Sequence, residues 1–218
     1  MERLPRYRQL IGFRHDRVGE SSNDRARLRE LFAAPIPDDV VEFLATLRDS
    51  VLYYRYEVLT RTGKPKAYSH FVATNIGPDS GVHPFPASII GHVLRYRGMG
   101  LPDGYLPLLL DFGKNAWVWY DLHRAAVVVP RGDREFGSAE REWNVIAPGF
   151  EDFIGGMTLD LSPLLHPLRV AGLGNVQPSM RTWFASALGD DWEIQVQGLL
   201  KRKRKQAEPG AAVDGGGS

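Results

Sequence analysis

Apolar residues recur at helical spacing toward both ends of the chain and gather into short continuous runs in its middle. In 25–32, Leu28, Leu31 and Phe32 stand at i, i+3 and i+4, and Ser22, Asn23 or Asp24 is placed to cap the helix this predicts. Pro35 and Pro37 end it. Asp38 or Asp39 then opens a second helix over 40–48, with acidic residues at its positive end and Val40, Phe43, Leu44 and Leu47 as its apolar stripe. A short helix over 87–95 puts Ile89, Ile90, Val93 and Leu94 on one face. Further on, Phe150, Phe153 and Ile154 mark a short helix stopped by Gly155 and Gly156, and 178–188 turns Met180, Trp183, Phe184 and Leu188 inward. Residues 192–200 read as a last apolar element, strand or helix.

The middle of the chain is β-rich. Residues 51–59 and 68–73 are expected to be extended, joined by a turn over 60–66. The runs 106–110, 116–120 and 125–129 are separated by turn chemistry at 111–115 and 121–124, which predicts an antiparallel meander. Residues 75–86 read as a loop, 131–144 as a charged surface excursion, and 157–177, with Pro163, Pro167, Gly172 and Gly174, as a packed but irregular connection. Helices first, strands central and a helix after the meander make an α+β class: a mixed, mostly antiparallel sheet flanked by helices.

The 218 residues suffice for one ordinary domain with a full core, placed at 25–200 after an N-terminal segment 1–24 and with an extension from about 157. Lys201 to Lys205 are five consecutive cations followed by a small, flexible stretch, so 201–218 is expected to be a disordered basic tail, and Gly215–Ser218 reads as a linker remnant. Without that tail the chain holds 22 basic and 24 acidic side chains, a near-neutral body that makes nucleic acid an unfavoured main ligand. There is no cysteine, which excludes disulfides, thiolate catalysis and Cys-ligated zinc. No signal-peptide core and no apolar stretch of membrane-spanning length is present, so a cytoplasmic, soluble protein is expected.

Candidate chemistry is sparse. Asp111 and Asp121 flank a strand pair and invite a two-carboxylate reading; turn chemistry is the plainer role for both. The six histidines form no i, i+4 pair, so no metal site is expected, and no serine sits in a nucleophile-elbow context. Alternation puts Trp117 and Trp119 on one face of a strand and Val118 and Tyr120 on the other, so that one pair is core and the other a potential partner anchor. Tyr54 and Tyr56 share a face and pose the same choice. Asp38, Asp39, Asp103, Asp111, Asp121, Glu151 and Asp152 fall at element ends or turns, where an acidic surface is expected.

The order of several short segments resembles the SUKH superfamily of Smi/Knr-type domains. Pro35-Ile-Pro-Asp-Asp39 runs into Val40-Val-Glu-Phe-Leu44; Leu101-Pro-Asp-Gly104 precedes Asp111-Phe-Gly-Lys-Asn115; Trp117-Val-Trp-Tyr-Asp-Leu122 and Pro148-Gly-Phe-Glu-Asp-Phe-Ile154 follow. The resemblance spans about residues 25–155. Where the family has an Asn-Gly-Gly type turn after the second helix, this chain has Arg48-Asp49-Ser50. The resemblance implies an α+β fold and a non-enzymatic, cofactor-free immunity protein that binds and inhibits a cognate bacterial toxin, such as a nuclease. The residues read above as candidates for that contact are Asp111, Trp117, Tyr120, Asp121, Tyr54 and Tyr56. A signalling or scaffold domain of the same fold is the alternative, and a small hydrolase using Asp111 and Asp121 a third.

Overall fold

A computed structural model describes residues 10–14, 22–47, 50–59, 63–74, 76–77, 88–111, 116–131 and 142–207. The expected turn at 112–115, most of the loop at 75–86, the centre of the charged excursion and the tail beyond residue 207 lie outside the described residues. The chain divides into two compact units, Met1–Asp160 and Leu161–Ser218.

The first unit is α+β. Its elements run β1 (Phe13–Arg14), α1 (Ser22–Glu30), α2 (Asp38–Leu47), β2 (Ser50–Leu59), β3 (Pro65–Ala73), α3 (Ile89–Gly98), β4 (Tyr105–Asp111), β5 (Ala116–Asp121), β6 (Ala126–Pro130), β7 (Trp143–Ala147), α4 (Phe150–Gly155) and β8 (Thr158–Leu159). The sheet has the order β1-β2-β3-β4-β5-β6-β7, with β8 beside the middle of β2. Every pairing among the described residues is antiparallel. The expected meander is present as β4–β5–β6.

The central strands are packed on both faces along most of their length. Leu106, Leu108, Leu109, Val118, Trp119, Val127 and Val128 are fully inaccessible. On one face, Tyr120 meets Phe150 of α4, which packs edge-on against Phe43 of α2; Phe153 of α4 lies against Tyr56 and Phe71. On the other face α3 lies over β5, with His92 edge-on to Trp117 and Tyr96 edge-on to Trp119. Both β5 pairs are therefore core, and the alternative of an exposed partner anchor on one face is corrected: α2 and α4 cover one side and α3 the other. A continuous apolar run such as Ala116–Tyr120 fits a strand buried twice over, whereas a half-buried strand alternates.

Several other expectations need correction. Leu94 of α3 is 51% exposed, because Ile89, Ile90 and Val93 already fill the buried stripe. Strand β7 replaces part of the expected surface excursion; its five residues carry exposed Asn144 and Val145 and give too short a pattern to read. The segment 1–24 contributes β1, whose approach to β2 needs Gly12: a Cβ there would sit 2.6 Å from the Cβ of Ser50.

The second unit begins at Leu161 and is helical: α5 (Ser162–Ala171), a 3-10 turn (Leu173–Asn175), α6 (Pro178–Leu188) and α7 (Trp192–Ala207). The irregular connection expected over 157–177 thus contains α5. Leu161, Leu164, Leu165 and Leu168 repeat at helical spacing and are buried, and Pro163 sits in the first turn, where its missing N–H is harmless. Apolar burial outweighs the interior Pro167. Phe184 of α6 and Trp192 of α7 stack at 4.9 Å, beside Trp183. Gln195 donates from Nε2 to the carbonyl of Leu188, tying α7 to the end of α6 at 2.9 Å.

Phe153 is the side chain on which this packing is most easily tested. Phe153→Ala is expected to lower the unfolding free energy by about 3–5 kcal/mol, while Leu94→Ala on the exposed side of α3 changes it by less than about 0.5 kcal/mol. Urea denaturation followed by tryptophan fluorescence measures both. A loss below about 1 kcal/mol for Phe153→Ala would contradict the packing described.

Candidate functional site

The six side chains expected to meet a partner are all buried. Trp117 and Tyr120 are 6% and 4% exposed, Tyr54 and Tyr56 9% and 8%, Asp111 and Asp121 1% and 2%. Five of them have a visible structural role: Trp117 and Tyr120 pack against His92 and Phe150, and Tyr54, Tyr56 and Asp121 make hydrogen bonds with the backbone. Tyr54 accepts a hydrogen bond from the backbone N–H of Ile11, and the Tyr56 hydroxyl donates to the carbonyl of Ile146, both at 3.1 Å. Buried tyrosines characteristically anchor their one polar atom in this way. Asp121 Oδ1 accepts from the backbone N–H groups of His123 and Arg124, at 3.0 and 3.1 Å, which closes the β5–β6 turn. In the same turn Leu122 N–H donates to the carbonyl of Gly104, and Gly104, at φ +91°, lets the His123 ring lie against its backbone.

The carboxylate pair does not form. Asp111 pairs with Ala116 at one end of the β4–β5 ladder and Asp121 with Tyr105 at the other. Five strand residues separate them, roughly 17 Å, whereas paired catalytic carboxylates work about 5–9.5 Å apart. The expected acidic surface is also altered. Asp111 and Asp121 are inside, Asp38 pairs with Arg29, and Asp103 pairs with Arg97, which lies over the Phe32 ring. Among the described residues no cluster of three histidine or carboxylate side chains is placed to hold a metal ion.

An aromatic surface that reaches solvent lies elsewhere on the sheet, among residues not singled out from the sequence. Register puts Tyr105, Trp119, Val128 and Val145 on one face, together with Pro130 and Trp143, which pair across β6 and β7. Near α3 this face is covered. Toward β7, the last strand in the order, it opens: Val145 is 52% exposed, and Tyr105, Pro130 and Trp143 are half-buried. The rings of Tyr105 and Trp143 stack at 4.3 Å although two strands separate β4 from β7. At about 4.8 Å per strand such a contact requires a curled sheet and inward-leaning side chains. Trp143 also meets Trp119 edge-on, so the exposed end of the row is braced by the core.

Charges rim this surface. Arg124 stands 3.7 Å from Asp121, and Arg131 pairs with Glu142 beside Trp143; all three outer side chains are more than half exposed. A rigid, half-open aromatic stack with an exposed aliphatic neighbour and a polar rim has the composition of a protein contact. The signal for Trp143 in the sequence was a lone tryptophan inside Glu140-Arg-Glu-Trp-Asn144, where an aromatic residue interrupts charge.

Comparison of the chain with protein-family models, with curated proteins and with solved structures returns no match. Among the described residues no helix is long and apolar enough to cross a membrane.

Four phenols in the first unit hold their protons more tightly than free tyrosine. Burial raises Tyr53, Tyr56, Tyr105 and Tyr120; the negative charge of Asp152 adds to the rise at Tyr56, that of Asp121 at Tyr105, where Arg124 partly offsets it, and those of Asp39 and Asp121 at Tyr120. Above about pH 10 the unfolded chain therefore loses these protons before the folded one. Stability from these groups is expected to be complete below that pH and to fall as pH rises through the folded-state values. Ultraviolet tyrosine titration alongside urea denaturation checks this; full ionisation of all eight tyrosines near pH 10 in the folded protein would contradict it.

Proposed function

We propose that the first unit is a protein-binding domain of the SUKH type, acting in the cytoplasm as an immunity protein that holds a cognate toxin and blocks its active site or its access to substrate. The observation that carries the reading is the Tyr105–Trp143–Val145 surface, an aromatic contact patch braced by the core. The motif order of the SUKH resemblance over about residues 25–155 supplies the functional class, and the α+β architecture is the one that resemblance implies. The contact surface in this reading differs from the six residues first singled out, because all six are buried. No cofactor takes part. Trp143 is the desolvated anchor, and Arg124 and Arg131 on the rim steer an acidic patch of the toxin toward it.

Co-expression with the toxin encoded beside this protein's gene tests the proposal. The unaltered protein is expected to rescue growth. Val145→Asp, at an exposed site, is expected to leave stability within about 0.5 kcal/mol and abolish rescue, and Trp143→Ala to weaken toxin binding by about 2 kcal/mol or more. Continued killing while both unaltered proteins are folded and expressed would overturn the immunity reading. Rescue that ignores both substitutions would move the contact surface elsewhere.

A further inference from the structure

The run Lys201–Lys205 is part of a folded helix. α7 starts at Trp192, is anchored through buried Trp192 and Val196, and continues through the cations to Ala207, with Lys201 and Arg202 exposed. The expectation of a disordered tail from residue 201 is corrected accordingly. Charge placement along the helix gives the reason: Asp190, Asp191 and Glu193 stand at its start and five cations near its end, both complementing the helix dipole.

Helix stability alone does not explain the density of that charge. At the spacings that form helical ion pairs, Lys201 and Arg202 have Gln197, Gly198, Leu199 and Gln206, or the cations Arg204 and Lys205. Like charges at 201/204, 201/205 and 202/205 repel on the helix surface. A nucleic-acid duplex carries one phosphate charge per about 1.7 Å of its own axis. We propose that the cationic end of α7 binds the phosphate backbone of double-stranded nucleic acid without reading its sequence.

A duplex fits this segment better than a lipid surface does. Five consecutive charged positions leave no apolar face among the cations to enter a bilayer interface, and Val196, nearer the start of the helix, is buried. Because the helix is already formed, binding orders side chains and not backbone, and each phosphate contact releases a condensed counterion. The near-neutral remainder of the chain localises this activity to the second unit. The proposal stands independently of the toxin-binding reading of the first.

Fluorescence anisotropy of the full chain with labelled mixed-sequence duplexes, one DNA and one RNA, tests it across a salt series. Three to five phosphate contacts predict a slope of log affinity against log salt of about −3 to −4.5, a loss of roughly 60- to 500-fold between about 50 and 200 mM salt. Replacing the five cations by glutamine (Lys201→Gln, Arg202→Gln, Lys203→Gln, Arg204→Gln, Lys205→Gln) keeps helix propensity and is expected to weaken binding at least about tenfold at low salt. Lys64→Gln with Lys66→Gln, on exposed positions of the first unit, is expected to leave affinity and slope unchanged. Binding of one duplex form and not the other would identify the source of the phosphate. A flat salt dependence of the unaltered chain, equal binding by the five-glutamine chain, or tighter binding to phosphatidylserine-containing vesicles than to either duplex would overturn the proposal.

Discussion

Strand β5 is packed on both sides, and much of the first unit follows from that constraint. Trp119 is fully inaccessible and Tyr120, pointing the opposite way, is 4% exposed. A strand this apolar requires covering layers on both faces, and the chain supplies α3 for one and α2 with α4 for the other. The aromatic pairs that join the layers are mostly edge-on, each worth about 0.5–1.5 kcal/mol beyond the area it buries. Three polar groups beside these rings are tied to the backbone: Tyr56 to Ile146, Tyr54 to Ile11, and the Asp121 carboxylate to its own turn.

This constraint also sets where a partner can find an aromatic residue. With β5 enclosed, the aromatic face opens, among the described residues, toward β7, and there Trp143 reaches back over Trp119 to Tyr105. β7 is the last strand of the order and is bulged opposite Val127 and Val128, a device that bends an edge away from indiscriminate strand pairing. What this region offers a partner is therefore a side-chain surface. A stack fixed by the core loses little conformational entropy on binding, which favours an anchor role.

The parts of the fold legible in the sequence were those with long, regular patterns. α2 shows its whole apolar stripe, and Val40, Phe43, Leu44 and Leu47 are all buried. α4 and α6 were announced by apolar residues at helical spacing, and the meander by three apolar runs with turn residues between them. The face to which each β5 residue points was legible; the fate of those faces was not, because two-sided burial depends on helices distant in sequence. α5 was obscured by two prolines that fall in and after its first turn, and β7 by its brevity. The cationic stretch was read as a tail because composition alone carries no record of Trp192 and Val196 anchoring the same helix. The burial of Trp117, Tyr120, Tyr54 and Tyr56 was not legible for a related reason: tryptophan and tyrosine are favoured both in cores and at interfaces, and one sequence does not separate the two uses.

Native-state hydrogen exchange tests the two-sided enclosure of β5 most directly. The account predicts that the amides of 117–120, with their partners in β4 and β6, exchange only through global unfolding and report the largest opening free energy in the first unit, while those of β7 open at lower free energy. Exchange of the β5 amides through local opening, at free energies below those of β2 and β3, would contradict it.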